Sequence, residues 1–286
     1  MNLSEIKQLL AEGNLKLTKS LGQNFLHDGN QLDRIVELGK LTASDCVLEI
    51  GPGLGPLTER LLPNCGQLLA IEKDGRLVEI LENRFSSEAT LSLIHADALK
   101  WLSQNPDRDW RSWKLVANLP YSVASPILVE LALSAQGPEA MVATLQLEVV
   151  QRIRARPKSK EYGVLTLLIQ LHYQPGPYFK VPASCFYPQP DVASGCLRLV
   201  RRQAGLLRQE EVALFVRLVK VGFGQRRKVM LKLLKSVCPL EVLEAAYARV
   251  GLDSRVRAEA VSLEEFVELT RGIAAAKRRM VDGRDF

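Results

Sequence analysis

The sequence of 286 residues contains no apolar run as long as the ~18 residues that a membrane-crossing helix needs. Nor do its first 19 residues hold the unbroken apolar stretch of a secretory leader, because Glu5, Lys7, Glu12, Lys16 and Lys19 are spread among the leucines. A cytoplasmic protein with no membrane partner is expected. Cysteine is scarce and scattered. Cys46, Cys65, Cys185, Cys196 and Cys238 are odd in number and form no C-x-x-C pair, which argues against a disulfide framework and for small buried thiols in a reducing compartment. The three histidines, His27, His95 and His172, are far apart, so neither a zinc site nor a Ser-His-Asp triad is read from them and no metal is expected. With 47% hydrophobic and 24% charged residues the chain is neither disordered nor fibrous, and its length accommodates one large domain plus a smaller one.

The net charge of +6 becomes informative once it is located. From Arg201 onward there are 18 Lys and Arg against 11 Asp and Glu, a surplus of +7, which leaves −1 for the first 200 residues. A basic surplus confined to one end suggests contact with a polyanion, although a solvated helical face would explain it equally well. The patterning changes at the same place. Between Cys46 and Leu147 short apolar segments, namely 46–50, 67–72, 91–97, 113–118 and 141–146, alternate with stretches on a helical period such as 74–85. That alternation predicts βαβ units and a parallel sheet. The apolar run within 162–173 fits a buried helix or a strand. Pro175, Pro177, Pro182, Pro188 and Pro190 make 173–191 loop or edge strand, and 195–200 reads as a last strand. Beyond Arg201 only helical patterns remain, broken at Gly222-Phe223-Gly224, with a capping box predicted at Ser262 and Glu265. A boundary is therefore expected near 201, dividing 1–200 from 201–286.

The first chemical signal is Glu49-Ile50-Gly51-Pro52-Gly53-Leu54-Gly55, directly after a strand. Its G-x-G-x-G spacing differs from the G-x-G-x-x-G of dinucleotide sites and favours a nucleoside ligand without a pyrophosphate; a purely structural turn is the alternative. Glu72 closes the second strand, 21 residues after Gly51, where a carboxylate receives ribose hydroxyls, and Asp97 closes the third, where it can accept an adenine amine. Either acid alone would be an ordinary solvated strand end, but three successive strand ends converge on one crevice. The fourth strand ends in Asn118-Leu119-Pro120-Tyr121. The Asn118 side-chain oxygen and the Leu119 carbonyl can accept the two hydrogens of an exocyclic amine. This makes its nitrogen pyramidal and nucleophilic towards an electrophilic methyl group. Pro120 stiffens the segment, and Tyr121 offers a ring on which a flipped-out base stacks. By itself this tetrapeptide suits DNA, RNA or a protein amide.

Together these segments resemble the ribosomal RNA adenine dimethyltransferase family, and within it the branch that acts on small-subunit (16S) RNA. The resemblance begins at Leu21-Gly22-Gln23-Asn24-Phe25-Leu26-His27-Asp28 and runs through the motifs above. It continues in Phe186-Tyr187-Pro188-Gln189-Pro190-Asp191-Val192-Ala193-Ser194, Gln225-Arg226-Arg227-Lys228 and Arg257-Ala258-Glu259. Where the family reads F-x-P-P-P with a basic residue before the valine, this chain has Gln189 and Asp191. The resemblance implies an α/β fold, a Rossmann-like S-adenosylmethionine-dependent methyltransferase sheet with a small C-terminal all-α domain. It implies that 1–200 is catalytic and that 201–286 is a helical, basic, RNA-binding domain. The cofactor is then S-adenosylmethionine, held by Asn24, Leu26, Gly51, Glu72, Asp97 and Asn118. Asn118, Leu119, Pro120, Tyr121 and Phe186 are the catalytic residues, with Phe186 facing Tyr121 across the target adenine. The partner implied is 16S rRNA within the 30S subunit, two adjacent adenosines of a 3′-terminal hairpin being converted to N6,N6-dimethyladenosine by a monomeric enzyme. Two basic stretches fit RNA phosphates: Arg152, Arg154, Arg156, Lys158 and Lys160, and Arg226, Arg227, Lys228, Lys232 and Lys235. The competing readings are a 23S rRNA methyltransferase of the macrolide-resistance type, a non-catalytic RNA-binding factor on the same fold, and a DNA adenine methyltransferase.

Overall fold

The alternating apolar segments form the expected sheet. The computed structural model describes residues 1–12, 23–225 and 227–281, the last two of these by backbone alone; Leu21, Gly22 and Arg226 lie outside the described residues. By its contacts the chain divides into two compact units, Met1–Val150 with Gln174–Arg201, and Gln151–Tyr173 with Arg202 onward.

The first unit opens with helix α1 (Leu3–Glu12), the short strand β1 (Phe25–Leu26) and α2 (Gly29–Gly39). There follow β2 (Cys46–Ile50), α3 (Thr58–Leu61), β3 (Gln67–Glu72), α4 (Gly75–Arg84), β4 (Leu91–His95), α5 (Ala98–Gln104), β5 (Trp113–Asn118), α6 (Ala124–Leu133) and β6 (Ala140–Gln146). Helix α7 (Leu147–Ile153) leads into the second unit, where α8 is Val164–Gln170. The chain then returns through β7 (Tyr173–Val181), β8 (Phe186–Tyr187) and β9 (Ser194–Arg201). The seven-stranded sheet has the order β4-β3-β2-β5-β6-β9-β7. Its first five strands are parallel and β9 is antiparallel to β6. The interior strands β2, β3, β5 and β6 are almost wholly buried, as continuous apolar runs of parallel strands require, whereas the edge strand β4 is half exposed. Pro175 and Pro177 fall in β7, the outermost strand, the place in a sheet that tolerates a residue unable to donate to the ladder.

The chain turns outward from β2 through β3 to β4 and then returns to the other side as β5. The strand order thus reverses beside β2, and ligands of open α/β sheets bind beyond the carboxyl ends of the strands at such a reversal. Two of the turns there end in an acid that caps the next helix. Asp74 accepts from Arg76 N and Asp97 from Lys100 N, supplying first-turn amides with the acceptors they otherwise lack.

The second unit is helical: α8, then α9 (Gln209–Gly222), α10 (Met230–Leu234), α11 (Leu240–Val250) and α12 (Leu263–Val281). Its core includes Phe215, Leu218, Leu243 and Phe266, with the Phe223 ring stacked at 6.2 Å from Phe266. The run within 162–173 is a helix, and 151–173, read from sequence as part of the first domain, groups with these helices. The Tyr162 hydroxyl donates to Val261 O at 2.8 Å, the Lys158 amide to Glu259 O at 2.7 Å, and the Tyr162 ring meets Phe223 at 6.0 Å. The capping box forms: Glu265 N donates to Ser262 Oγ (3.2 Å) and Ser262 N to Glu265 Oε2 (2.7 Å). Among the described residues no helix is long and apolar enough to cross a membrane, and no group of three or more His, Cys, Asp or Glu could hold a metal ion.

Candidate active site

The carboxyl ends of β2, β3 and β5, with the turn after β4, enclose a crevice of about 1100 Å³, part of it open to solvent. Its floor is the glycine turn. Gly51 and Gly53 have φ of +72° and +63°, the left-handed region that only glycine enters without cost. A Cβ on Gly51 would stand 3.0 Å from Pro120 Cγ, and one on Gly53 would stand 2.8 Å from the Phe25 ring. The turn is therefore held between the tetrapeptide after β5 and the strand β1, with its backbone laid bare to the crevice.

Glu72 is 7% exposed, and its carboxylate organises this turn. Oε2 accepts from Gly53 N at 3.1 Å, while Oε1 accepts from Lys73 N at 2.8 Å and Asp74 N at 2.9 Å. Burial pushes its pKa up, and the three amides oppose that shift. A carboxylate offers about four lone-pair directions, so one on Oε2 stays open for a ligand hydroxyl. Asp97 sits two residues beyond β4, on the helix-cap position, not at the strand end as the sequence suggests. Its Oδ2 pairs with Lys73 Nζ at 2.8 Å, and this partner holds its carboxyl below the ordinary range. Glu49 and Lys73, to which sequence reading gave no role, also line the crevice. Glu49 is 1% exposed, accepts from Thr58 Oγ1 at 2.7 Å, and has its pKa pushed up to about 8 by burial and by the charge of Glu72. The signal for Glu49 was present: an acid inside an apolar strand requires a specific environment.

Asn118 ends β5 as expected. Its Nδ2 donates to Asn24 O at 3.1 Å, which fixes the amide's orientation, because a carbonyl accepts only from the NH2 end. Among the described residues, Oδ1 is left buried with no hydrogen-bond partner. An orphaned buried acceptor costs ~1–3 kcal/mol, which an amine donor from a ligand would recover. Asn24, Leu26, Leu119, Pro120 and Tyr121 share the same walls. Gln23 Nε2 donates to Asp74 Oδ2 at 3.1 Å, so the 23–26 segment is tied to the crevice at two points. Tyr121 is half-buried, and its hydroxyl lies 2.5 Å from Ser194 Oγ, a partner 73 positions away that no local pattern indicates.

Phe186 is placed differently. It pairs with Leu26 in the β1–β8 ribbon, is 3% exposed, and packs in the core with Leu26, Leu32 and Val181, outside the residues that line the crevice. Of the basic stretches, Arg152, Arg154, Arg156, Lys158 and Lys160, and Arg227, Lys228, Lys232 and Lys235, are all exposed, and all belong to the helical unit.

The donor set fits a nucleoside cofactor: a glycine turn that a Cβ would fill, an open carboxylate position at Glu72, an acid at Asp97 and an unsatisfied amide oxygen. Comparison with known proteins agrees. The family model described as ribosomal RNA adenine dimethylase matches residues 14–275. A protein of Clostridium acetobutylicum named ribosomal RNA small subunit methyltransferase A is 38% identical over 265 residues, covering 92% of this chain and 96% of its own. Its namesake from Clostridium perfringens is 38% identical over 279 residues, covering 96% and 98%. Among solved structures, the 23S rRNA methyltransferase ErmE superposes with a TM-score of 0.64 at 26% identity, over 87% of this chain and 99% of its own. A dimethyladenosine transferase from Plasmodium falciparum gives 0.66 at 24% identity, over 86% and 95%, and supports the fold alone. The chain belongs to the ribosomal RNA adenine dimethylase family.

Proposed function

We propose that this protein transfers methyl groups from S-adenosylmethionine to N6 of two adjacent adenosines in a 3′-terminal hairpin of 16S rRNA within the 30S particle, giving N6,N6-dimethyladenosine. The observation that carries the reading is Asn118 Oδ1, buried beside the glycine turn and without a donor among the described residues. The cofactor, when bound, supplies a sulfonium methyl, an electrophile strong enough that no strong base is required. Glu72 binds ribose hydroxyls at its open lone pair, and Asp97 takes the cofactor's adenine amine. Asn118 Oδ1 and the Leu119 carbonyl accept the two hydrogens of the target amine. That draws its lone pair out of conjugation and aims it, and these hydrogen bonds strengthen as the nitrogen becomes cationic. Pro120 keeps the segment stiff, and the Tyr121 ring stacks on the base, a contact of the kind that contributes ~1–3 kcal/mol. Phe186 enters this reading through the family likeness, and its buried ring would have to turn outward to oppose Tyr121.

The small-subunit target is favoured over the large-subunit one because the 38% relatives carry the small-subunit name across almost the whole chain, whereas ErmE is 26% identical. The exposed basic residues of the helical unit bind rRNA phosphates, so affinity falls steeply with salt. A monomer acting in the cytoplasm completes the proposal. The test is methylation of unmodified 30S particles with radiolabelled cofactor, followed by digestion to nucleosides. Labelled N6,N6-dimethyladenosine is expected, and label on naked 23S RNA alone would overturn the choice of target. Glu72→Ala should mainly weaken cofactor binding. Asn118→Ala should lose turnover while retaining part of that binding, and normal turnover by this variant would refute the mechanism.

A further inference from the structure

We infer that Ser194 is a positioning residue for the base-binding ring of Tyr121, the two hydroxyls forming one device; this rests on the function proposed above. Tyr121 sits in a turn between β5 and α6, closed by a bond from Val123 N to Pro120 O at 3.1 Å. A side chain rooted in a turn has its direction weakly set from below. Tyr121 is fixed from its far end, since its hydroxyl lies 2.5 Å from Ser194 Oγ. Ser194 is fully buried and opens β9, where it pairs with Gln146 across the antiparallel ladder, and Leu147 N donates to Ala193 O at 2.8 Å just beyond. The anchor therefore belongs to the rigid sheet, and the ring's long axis is referred to the same sheet that carries Asn118.

Neither hydroxyl has another purpose in sight. Stacking alone needs only the ring, which phenylalanine would supply, and a fully buried small residue beside Gly195 and Cys196 needs only the bulk of alanine. Among the described residues, the side-chain oxygen of each has the other as its partner. Burying either hydroxyl without the other leaves a polar group unsatisfied, so each explains the other's presence. What the tether controls is the angle at which a stacked base presents its amine to Asn118 Oδ1. Reacting groups that lose alignment lose rate, while a cofactor bound to the glycine turn and Glu72 is untouched.

The experiment measures kcat on unmodified 30S particles, cofactor dissociation constant and melting temperature for the wild type, Ser194→Ala, Tyr121→Phe and the double variant. Each single change should lower kcat about three- to tenfold, the range of one hydrogen bond. The cofactor constant should stay within about twofold, and the double variant should be no slower than the slower single one. A purely structural role would instead lower the melting temperature and weaken cofactor binding in step with rate. Tyr121→Phe turning over like the wild type, or losses that multiply in the double variant, would overturn the inference. If Ser194→Ala fails to fold, Tyr121→Phe alone decides, because it leaves Ser194 intact. A wild type that labels no adenosine would instead remove the proposed function itself.

Discussion

Cofactor binding should expel a proton from Glu49. The carboxyl is 1% exposed, Thr58 donates to one oxygen, and no cation is paired with it among the described residues, so burial holds it protonated up to about pH 8. At pH 7 it is about nine-tenths protonated. In the proposed site S-adenosylmethionine brings a sulfonium, an ammonium and a carboxylate, a net charge of +1, into the crevice that Glu49 lines. A unit charge taken ~6 Å away at an effective dielectric of ~20 contributes ~3 kcal/mol, or ~2 pKa units, which brings Glu49 to ~6. About 0.8 proton should then leave per cofactor bound at pH 7. Calorimetric titration in buffers of different ionisation enthalpy reads that number directly as a slope. The dissociation constant should also tighten as pH rises from 6 to 8, by about fivefold per unit, the linkage equivalent of ~0.8 proton released. S-adenosylhomocysteine, which lacks the sulfonium charge, should release fewer protons, and Glu49→Gln should release none from this source. Wild-type release below about 0.2 proton, or equal release by Glu49→Gln, would refute the reasoning. The same shift acts on folding with a definite sign. The folded carboxyl binds its proton more tightly than the unfolded one, whose pKa is 4.5, so its contribution favours folding in acid and is lost as pH rises through about 8. Without cofactor the melting temperature should fall across that window, and Glu49→Gln should flatten the decline.

Two further substitutions probe the geometry. Gly51→Ala puts a Cβ in the left-handed region, about 1–2 kcal/mol uphill, and 3.0 Å from Pro120 Cγ. The turn must shift away from Pro120, so cofactor affinity should drop by tenfold or more, and an unchanged dissociation constant would show that the turn does not carry the ligand. Tyr247 lies in α11 with a buried hydroxyl that has no partner among the described residues. Tyr247→Phe removes an unsatisfied group and should leave stability unchanged or raise it by up to ~1 kcal/mol in a denaturant melt; a loss larger than that would reveal an overlooked partner.

The line between what the sequence discloses and what it hides follows the range of the interaction concerned. Periodicity, helix caps and left-handed glycines act over a few residues. The five parallel strands, the capping box at Ser262 and the ends of β3 at Glu72 and β5 at Asn118 were legible for that reason. Asp97 shows the limit of local reading. Its acid was recognisable, but β4 stops at His95, because Asp97 serves the first turn of α5 as a cap and a capping residue leaves the ladder. Interactions that close long loops leave no local trace. The 151–173 stretch reads as a continuation of the first domain until the Tyr162 hydroxyl is seen to bond Val261, 99 positions on. Phe186 carries the family's motif, yet its exposure is decided by pairing with Leu26, 160 positions earlier, and that pairing buries it. The candidate active site is where both ranges meet. Asn118 was identifiable from its neighbours, but its acceptor is free only because Asn24, 94 positions away, takes the other end of the amide. A variant at Asn24 that shifts its carbonyl would let that amide turn. The chemistry attributed to Asn118 thus depends on a contact that no reading of the Asn118–Tyr121 tetrapeptide contains.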